Sequence, residues 1–256
     1  MSKSILRTPA LTYLVGLSFF GLFLAGMLSI YPPMTRESFV WRKPLIGSVF
    51  SLICILGILA VFFPKQCSGI SDAVTKGKRE RSTLDKLLSH GTSPTMKGHH
   101  LDCDNFSAHV FRIGNRTLCT ACTGLLLGGL AALAGTIMYF FGEWDIVLSS
   151  SLLVWIGVAG VGLGLFQFKV KTTAIRLALN TFFVLGTFLI LVGADELAQN
   201  VFADMFLVLL AVFWLFTRIV LSQWDHRRIC YACRVDHCEL VDERKGASVY
   251  ARATYL

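Results

Sequence analysis

The sequence predicts an all-α integral membrane protein, with about six transmembrane helices and a small cytoplasmic Cys/His metal-binding region. Three observations carry that expectation. Only 16% of the 256 residues are charged and 54% are hydrophobic, whereas a soluble domain averages about a quarter charged residues. Six apolar stretches are long enough to cross a hydrocarbon core as helix, which takes about 20 residues. All six histidines and six of the eight cysteines lie outside those stretches, in two polar segments, and Cys122 sits at the head of the third stretch.

The stretches lie near 9–30, 44–63, 121–141, 146–166, 173–193 and 201–221, each without charge in its middle. Helix is the expected form because unpaired backbone groups are costly in lipid, and the period-two alternation of a spanning strand is absent. The chain therefore divides into helices one and two within 1–63 and a cytoplasmic Cys/His-rich loop over 64–120. Helices three to six follow within 121–221, then a cytoplasmic Cys/His-rich tail over 222–256. The first stretch is longer than the roughly 7–15 apolar residues of a secretion signal, and no small-residue cleavage site follows it, so no cleavable leader is expected.

The net charge of +8 does not imply a nucleic-acid partner, because the basic residues are spread between apolar stretches, where they set membrane orientation. Lys and Arg crowd the loop 64–120, the connection holding Lys169, Lys171 and Arg176, and the tail. The connections 142–145 and 194–204 hold only acids: Glu143, Asp145, Asp195, Glu196 and Asp204. Arg36, Arg42 and Lys43 break the pattern. The balance still places both termini and the long loop in the cytoplasm of a cell-membrane protein, whose partners are the lipid bilayer and, by extension, other membrane-protein subunits.

Small residues recur every four positions in the third helix (Gly124, Gly128, Ala132) and in the fourth (Gly160, Gly164). Such rows let helix backbones approach closely in lipid, so these two helices are expected to pack on each other. Asn180, Thr181 and Gln167 read as packing and hydrogen-bonding groups, and Asp195 and Glu196 as outer-interface groups capping a helix end. Cys54 reads as a buried apolar residue, and the five tryptophans lie mostly near the ends of the stretches, as an interfacial belt would. Residues 68–98 form a polar linker with a short helix expected around Ser82–Ser89.

The chemistry gathers in two places. "HHLDCDNFSAHVFRIGNRTLCTAC" supplies Cys103, Cys119 and Cys122 with His109 among them; "DHRRICYACRVDHC" supplies Cys230, Cys233 and Cys238 with His237. A Cys-x2-Cys turn aims two sulfurs at one point, and two such turns complete a tetrahedron around zinc. Cytoplasmic thiols stay reduced, which favours metal or redox use over a structural disulfide. The expected core ligands are Cys119, Cys122, Cys230 and Cys233, with Cys103, Cys238, His109 and His237 able to replace or extend them. An iron–sulfur cluster is the alternative cofactor, since it too is held by thiolates. A dithiol redox site is a further one, because the head of a helix activates cysteine.

At "LCTACTGLLLGG" the sequence resembles a prokaryotic family of small polytopic membrane proteins known as a domain of unknown function. Its members carry a cysteine, a Phe some residues on, and a Cys-x-Arg-Cys-Thr-Gly run that opens a transmembrane helix. Cys103, Phe111, Cys119, Cys122, Thr123 and Gly124 match these positions over about thirty residues; Ala121 replaces the Arg, and Asp104 the His that usually follows the first cysteine. The resemblance implies an integral membrane protein and supplies no activity. The tail's Asp236, His237 and Cys238 also resemble part of the Asp-His-His-Cys motif of membrane palmitoyltransferases, with one His missing.

The expected function is a non-enzymatic subunit, scaffold or accessory factor whose zinc site ties loop to tail, and no catalytic residue is assigned. The competing function is a membrane redox protein using an iron–sulfur cluster or a dithiol. Transport is disfavoured because ion and proton paths place ionisable residues in the membrane, and the helix centres have none.

Overall fold

The computed structural model describes residues 9–33, 40–62, 109–113, 116–142 and 148–232. In chain order these form α1 (Pro9–Ile30), α2 (Arg42–Phe62), the strands β1 (Val110–Ile113) and β2 (Arg116–Cys119), and α3 (Thr120–Phe141). Then come α4 (Ser150–Leu165), a 3-10 turn (Gln167–Lys169), α5 (Thr173–Ala198) and α6 (Val201–Ala232). Five of the helices, all but α4, are long and apolar enough to cross a membrane. The fourth apolar stretch yields a helix of 16 residues, about 24 Å long against a hydrocarbon core of roughly 30 Å.

The ends follow local chemistry. The Gly142 N–H closes α3 on the Met138 carbonyl at 3.1 Å. Gln199 ends α5 in the left-handed region (φ 45°), and its N–H donates to the Asp195 carbonyl at 3.0 Å. Asn200 then caps α6, its side-chain oxygen accepting from the amides of Phe202 and Ala203 at 2.9 and 3.2 Å. One tight reversal thus fixes α5 against the start of α6.

α5 is the most buried of the five long helices, and its most extensive contacts are with α4 and then α3. Glycine makes both possible. A Cβ on Gly157 would lie 2.5 Å from the Gly186 carbonyl oxygen, and one on Gly164 2.6 Å from Phe183 Cβ. On α3, a Cβ on Gly124 would lie 2.6 Å from Asn180 Cβ, and one on Gly128 2.8 Å from the Thr181 carbonyl oxygen. The expectation that the third and fourth helices pack on each other is corrected: both glycine rows face α5. Spacing marks a row of small residues as an interface and does not name the helix across it.

α1 closes the bundle onto α6. The Trp214 indole donates to the Ser18 carbonyl at 3.1 Å, and the Ser18 hydroxyl to Thr217 Oγ1 at 2.9 Å. Trp214 is fully buried, so it is core and not belt, whereas Trp41 and Trp155 are exposed. Cys54 is buried in the apolar core, as expected. Phe20, Phe23, Leu52, Leu56, Leu130 and Phe216 are exposed. An apolar girdle of that extent suits hydrocarbon and would be a liability in water. With five spanning helices, it fits an integral membrane protein that contacts the lipid bilayer.

α6 does not stop where its apolar stretch ends at 221; it continues to Ala232. Polar residues hold a helix together outside lipid, so hydropathy marks the end of the span and not of the element. The linker 68–98 and its expected helix lie outside the described residues.

Candidate functional site

The two ends of the bundle each gather buried polar groups, and α5 links them. At about 1.5 Å per residue, Arg176 and Asp195 lie about 28 Å apart along α5, close to the ~30 Å of a hydrocarbon core.

At the first end, β1 and β2 pair antiparallel with Val110 opposite Cys119 and Ile113 opposite Arg116. The hairpin delivers Cys119 to the head of α3 and Cys122 to its first turn. The Thr123 hydroxyl donates to the Cys119 carbonyl at 3.0 Å, fixing the turn that carries both cysteines. His109, immediately before β1, is buried. Its Nε2 lies 2.5 Å from an Arg176 guanidinium nitrogen. Arginine has only donors, so Nε2 is the acceptor in this contact. Asp225 Oδ2 lies 3.3 Å from the same nitrogen and accepts from Arg176 Nη2 at 3.4 Å. Arg176 Nε donates to the Val170 carbonyl at 2.6 Å.

Deeper by about two helical turns of α6, or about 10 Å, Arg218 is buried and donates to Asn180 Oδ1. Asn180, itself fully buried, is held by its own donation to the Arg176 carbonyl at 2.6 Å. The Arg218 charge is within electrostatic range of Cys119, Cys122, Arg176 and Asp225. Two guanidinium groups, one carboxylate and two cysteines thus share one buried end of the bundle. A charge placed this deep is costly unless it is used.

Of the residues expected to bind metal, Cys119, Cys122 and His109 are described and gather here. Cys230 lies in the last turns of α6. Its side chain lies outside the described residues, as do Cys103, Cys233, Cys238 and His237. Among the described residues, no three His, Cys, Asp or Glu side chains are grouped to hold a metal ion.

No protein-family model matches the sequence, and no curated protein or solved structure is significantly similar to it. That outcome is consistent with an uncharacterised family.

The second end was not foreseen as a site. Arg42 Nη1, at the start of α2, donates to Asp195 Oδ1 of α5 and, at 2.7 Å, to Asp204 Oδ2 of α6. Both carboxylates are completely buried and Arg42 nearly so. Tyr139 of α3 places its hydroxyl 2.8 Å from Asp195 Oδ2 and 2.5 Å from Glu196 Oε1. Lys43 sits 3.4 Å from Glu196 and 4.5 Å above the Tyr139 ring. Asp195 is therefore not an interfacial cap but the centre of a buried ion-pair network. Sequence did carry a signal: the basic exception at 42–43 and the acid-only connection 194–204 are complementary, which is what one membrane face with internal pairing would show.

Proposed function

We propose that this chain is a six-helix membrane protein of the cell membrane, with α4 as the sixth crossing. Both termini and the Cys/His segments lie in the cytoplasm, and zinc joins loop to tail. Cys119, Cys122, Cys230 and Cys233 are the core ligands, and Cys103, Cys238, His109 and His237 are available to extend the set. The protein serves as a non-enzymatic subunit, scaffold or accessory factor.

One observation carries the reading. Arg176 bridges His109 to Asp225 of α6, and Cys119 and Cys122 lie in the field of Arg218, so the end of the loop is seated against α6. Cys230 follows Asp225 by little more than one turn of the same helix. The donor chemistry also fits zinc. Four thiolates around a divalent ion leave an excess negative charge, and Arg176 and Arg218 present positive charge at that end. His109 Nε2 is already engaged by Arg176, which leaves cysteines as the first choice of ligand. The orientation draws support from Arg42 and Lys43: the exceptions to the positive-inside pattern are paired with acids and do not act as free loop charges.

A second reading has one observation in its favour. Cys119 stands at the head of α3 and Cys122 in its first turn, where the helix terminus and Arg218 both turn positive potential toward sulfur. A dithiol or iron–sulfur redox protein would use the same placement.

Metal analysis and the visible spectrum of the purified protein separate them. A colourless protein with about one zinc per chain supports the first reading, and iron with visible absorption the second. Cys119→Ser and Cys233→Ser should each lose the metal, and the double variant should lose no more. Independent, additive losses would refute a shared ion.

A further inference from the structure

The network at the Arg42 end holds more hydrogen-bond acceptors than its protons can satisfy. One guanidinium faces two fully buried carboxylates, Asp195 and Asp204, which leaves an excess of one negative charge out of reach of water. The half-exposed Lys43–Glu196 pair is neutral by itself. Asp204 Oδ1 is buried with no hydrogen-bond partner, and a single nitrogen, Arg42 Nη1, holds Asp204 Oδ2 and Asp195 Oδ1 beside each other. Two ionised carboxylates gathered on one buried nitrogen repel each other, whereas a single proton bound by the pair removes the excess charge. Tyr139 repeats the deficit: one phenolic proton serves close contacts to two carboxylates. Among the described residues, the acids are not grouped as metal ligands would be.

We propose that the Asp195–Asp204 pair is a proton-binding site, filled from the membrane surface through Glu196 and Tyr139. Glu196 is 37% exposed on its side chain and contacts Tyr139 Oη; Tyr139 Oη contacts Asp195, and Asp195 and Asp204, both fully buried, share Arg42 Nη1. A proton taken up by Glu196 moves to Tyr139 Oη as the phenol's own proton passes to the Asp195–Asp204 pair. Glu196 and Tyr139 end as they began, and the buried site passes from one excess negative charge to neutrality. Among the described residues, the charged and titratable groups facing the pair are Arg42 and Lys43 from α2, Tyr139 from α3 and Glu196 from α5. Because the pair joins α2, α5 and α6, its proton occupancy sets how tightly these helices close at this face.

Infrared spectroscopy of the full-length protein in lipid nanodiscs tests this. At neutral pH the wild type should show a protonated-carboxyl C=O band that shifts in D2O, and Asp204→Asn or Asp195→Asn should remove it. Tyr139→Phe should keep the band and slow its deuterium shift by about a hundredfold, the scale of a positioned proton-transfer group. Should the Asn variants fail to fold, loss of the wild-type band on raising pH, with the protein still folded, carries the same information. Absence of a protonated-carboxyl band in the wild type overturns the site. Stabilisation by sodium in place of such a band would show a metal cation there and overturn it equally. Unchanged exchange in Tyr139→Phe overturns the relay.

Discussion

Arg42 and Arg218 are both buried guanidinium groups, and their surroundings predict different sensitivities. Arg42 holds two carboxylates by direct ion pairs, so Arg42→Ala leaves both acids buried without a counter-charge. A loss of about 3–5 kcal/mol is expected, read as a large fall in thermal midpoint in nanodiscs. Asp204→Asn keeps shape and leaves Arg42 paired with Asp195, so its midpoint should stay close to that of the wild type; a fall equal to that of Arg42→Ala would contradict the excess charge. Arg218 has an amide as its described acceptor. Asn180→Ala removes that acceptor and should cost about 1–3 kcal/mol, the penalty for a buried donor left unmet. Residue types and positions of these groups are plain in the sequence. Their pairing is not, because Arg42 and Asp195 stand 153 residues apart in the chain.

At the scale of the element, the glycine rows divide into those that touch something and those that do not. Gly157→Leu or Gly124→Val would drive a side chain into α5 backbone and should abolish a monodisperse folded species in size-exclusion chromatography. Nothing lies within 4 Å of a Cβ placed on Gly16 or Gly57. Ala at either should fold normally and gain up to about 1 kcal/mol from helix propensity alone. The apolar stretches foretold α1, α2 and α3 nearly to the residue, since burial in lipid demands length and hydrophobicity that any window detects. The same logic missed the extension of α6 to Ala232, which lies beyond what lipid requires. It also passed over the hairpin before α3, in which Ile113 pairs with Arg116. Two strands of four residues are too short for period-two alternation to stand out.

For the whole molecule, α5 is the axis: α3 and α4 lie along it, and one buried polar cluster sits at each of its ends. The clusters belong to opposite membrane faces if the bundle spans the bilayer. A maleimide too polar to cross the membrane, added to intact cells, should label Trp41→Cys but not Lys169→Cys; equal labelling, or the reverse, would overturn the orientation. Zinc chelation should lower the thermal midpoint of the wild type, because a metal joining loop to tail contributes to folding. It should leave unchanged the effect of Arg42→Ala, whose cluster lies at the other end. Correlated loss of both would mean that the two ends are not independent.

Sequence by itself determined that the chain is a bundle of apolar helices suited to lipid, where their apolar stretches run, and that cysteine and histidine gather in the segments flanking them. These are properties of composition and local order, and the bilayer imposes them on each segment separately. Only the tertiary structure decided which helix each glycine row grips, that Trp214 is core, and that Arg42 closes on Asp195 and Asp204. Each of those depends on which distant side chains share a small volume, and local hydropathy carries no information about that.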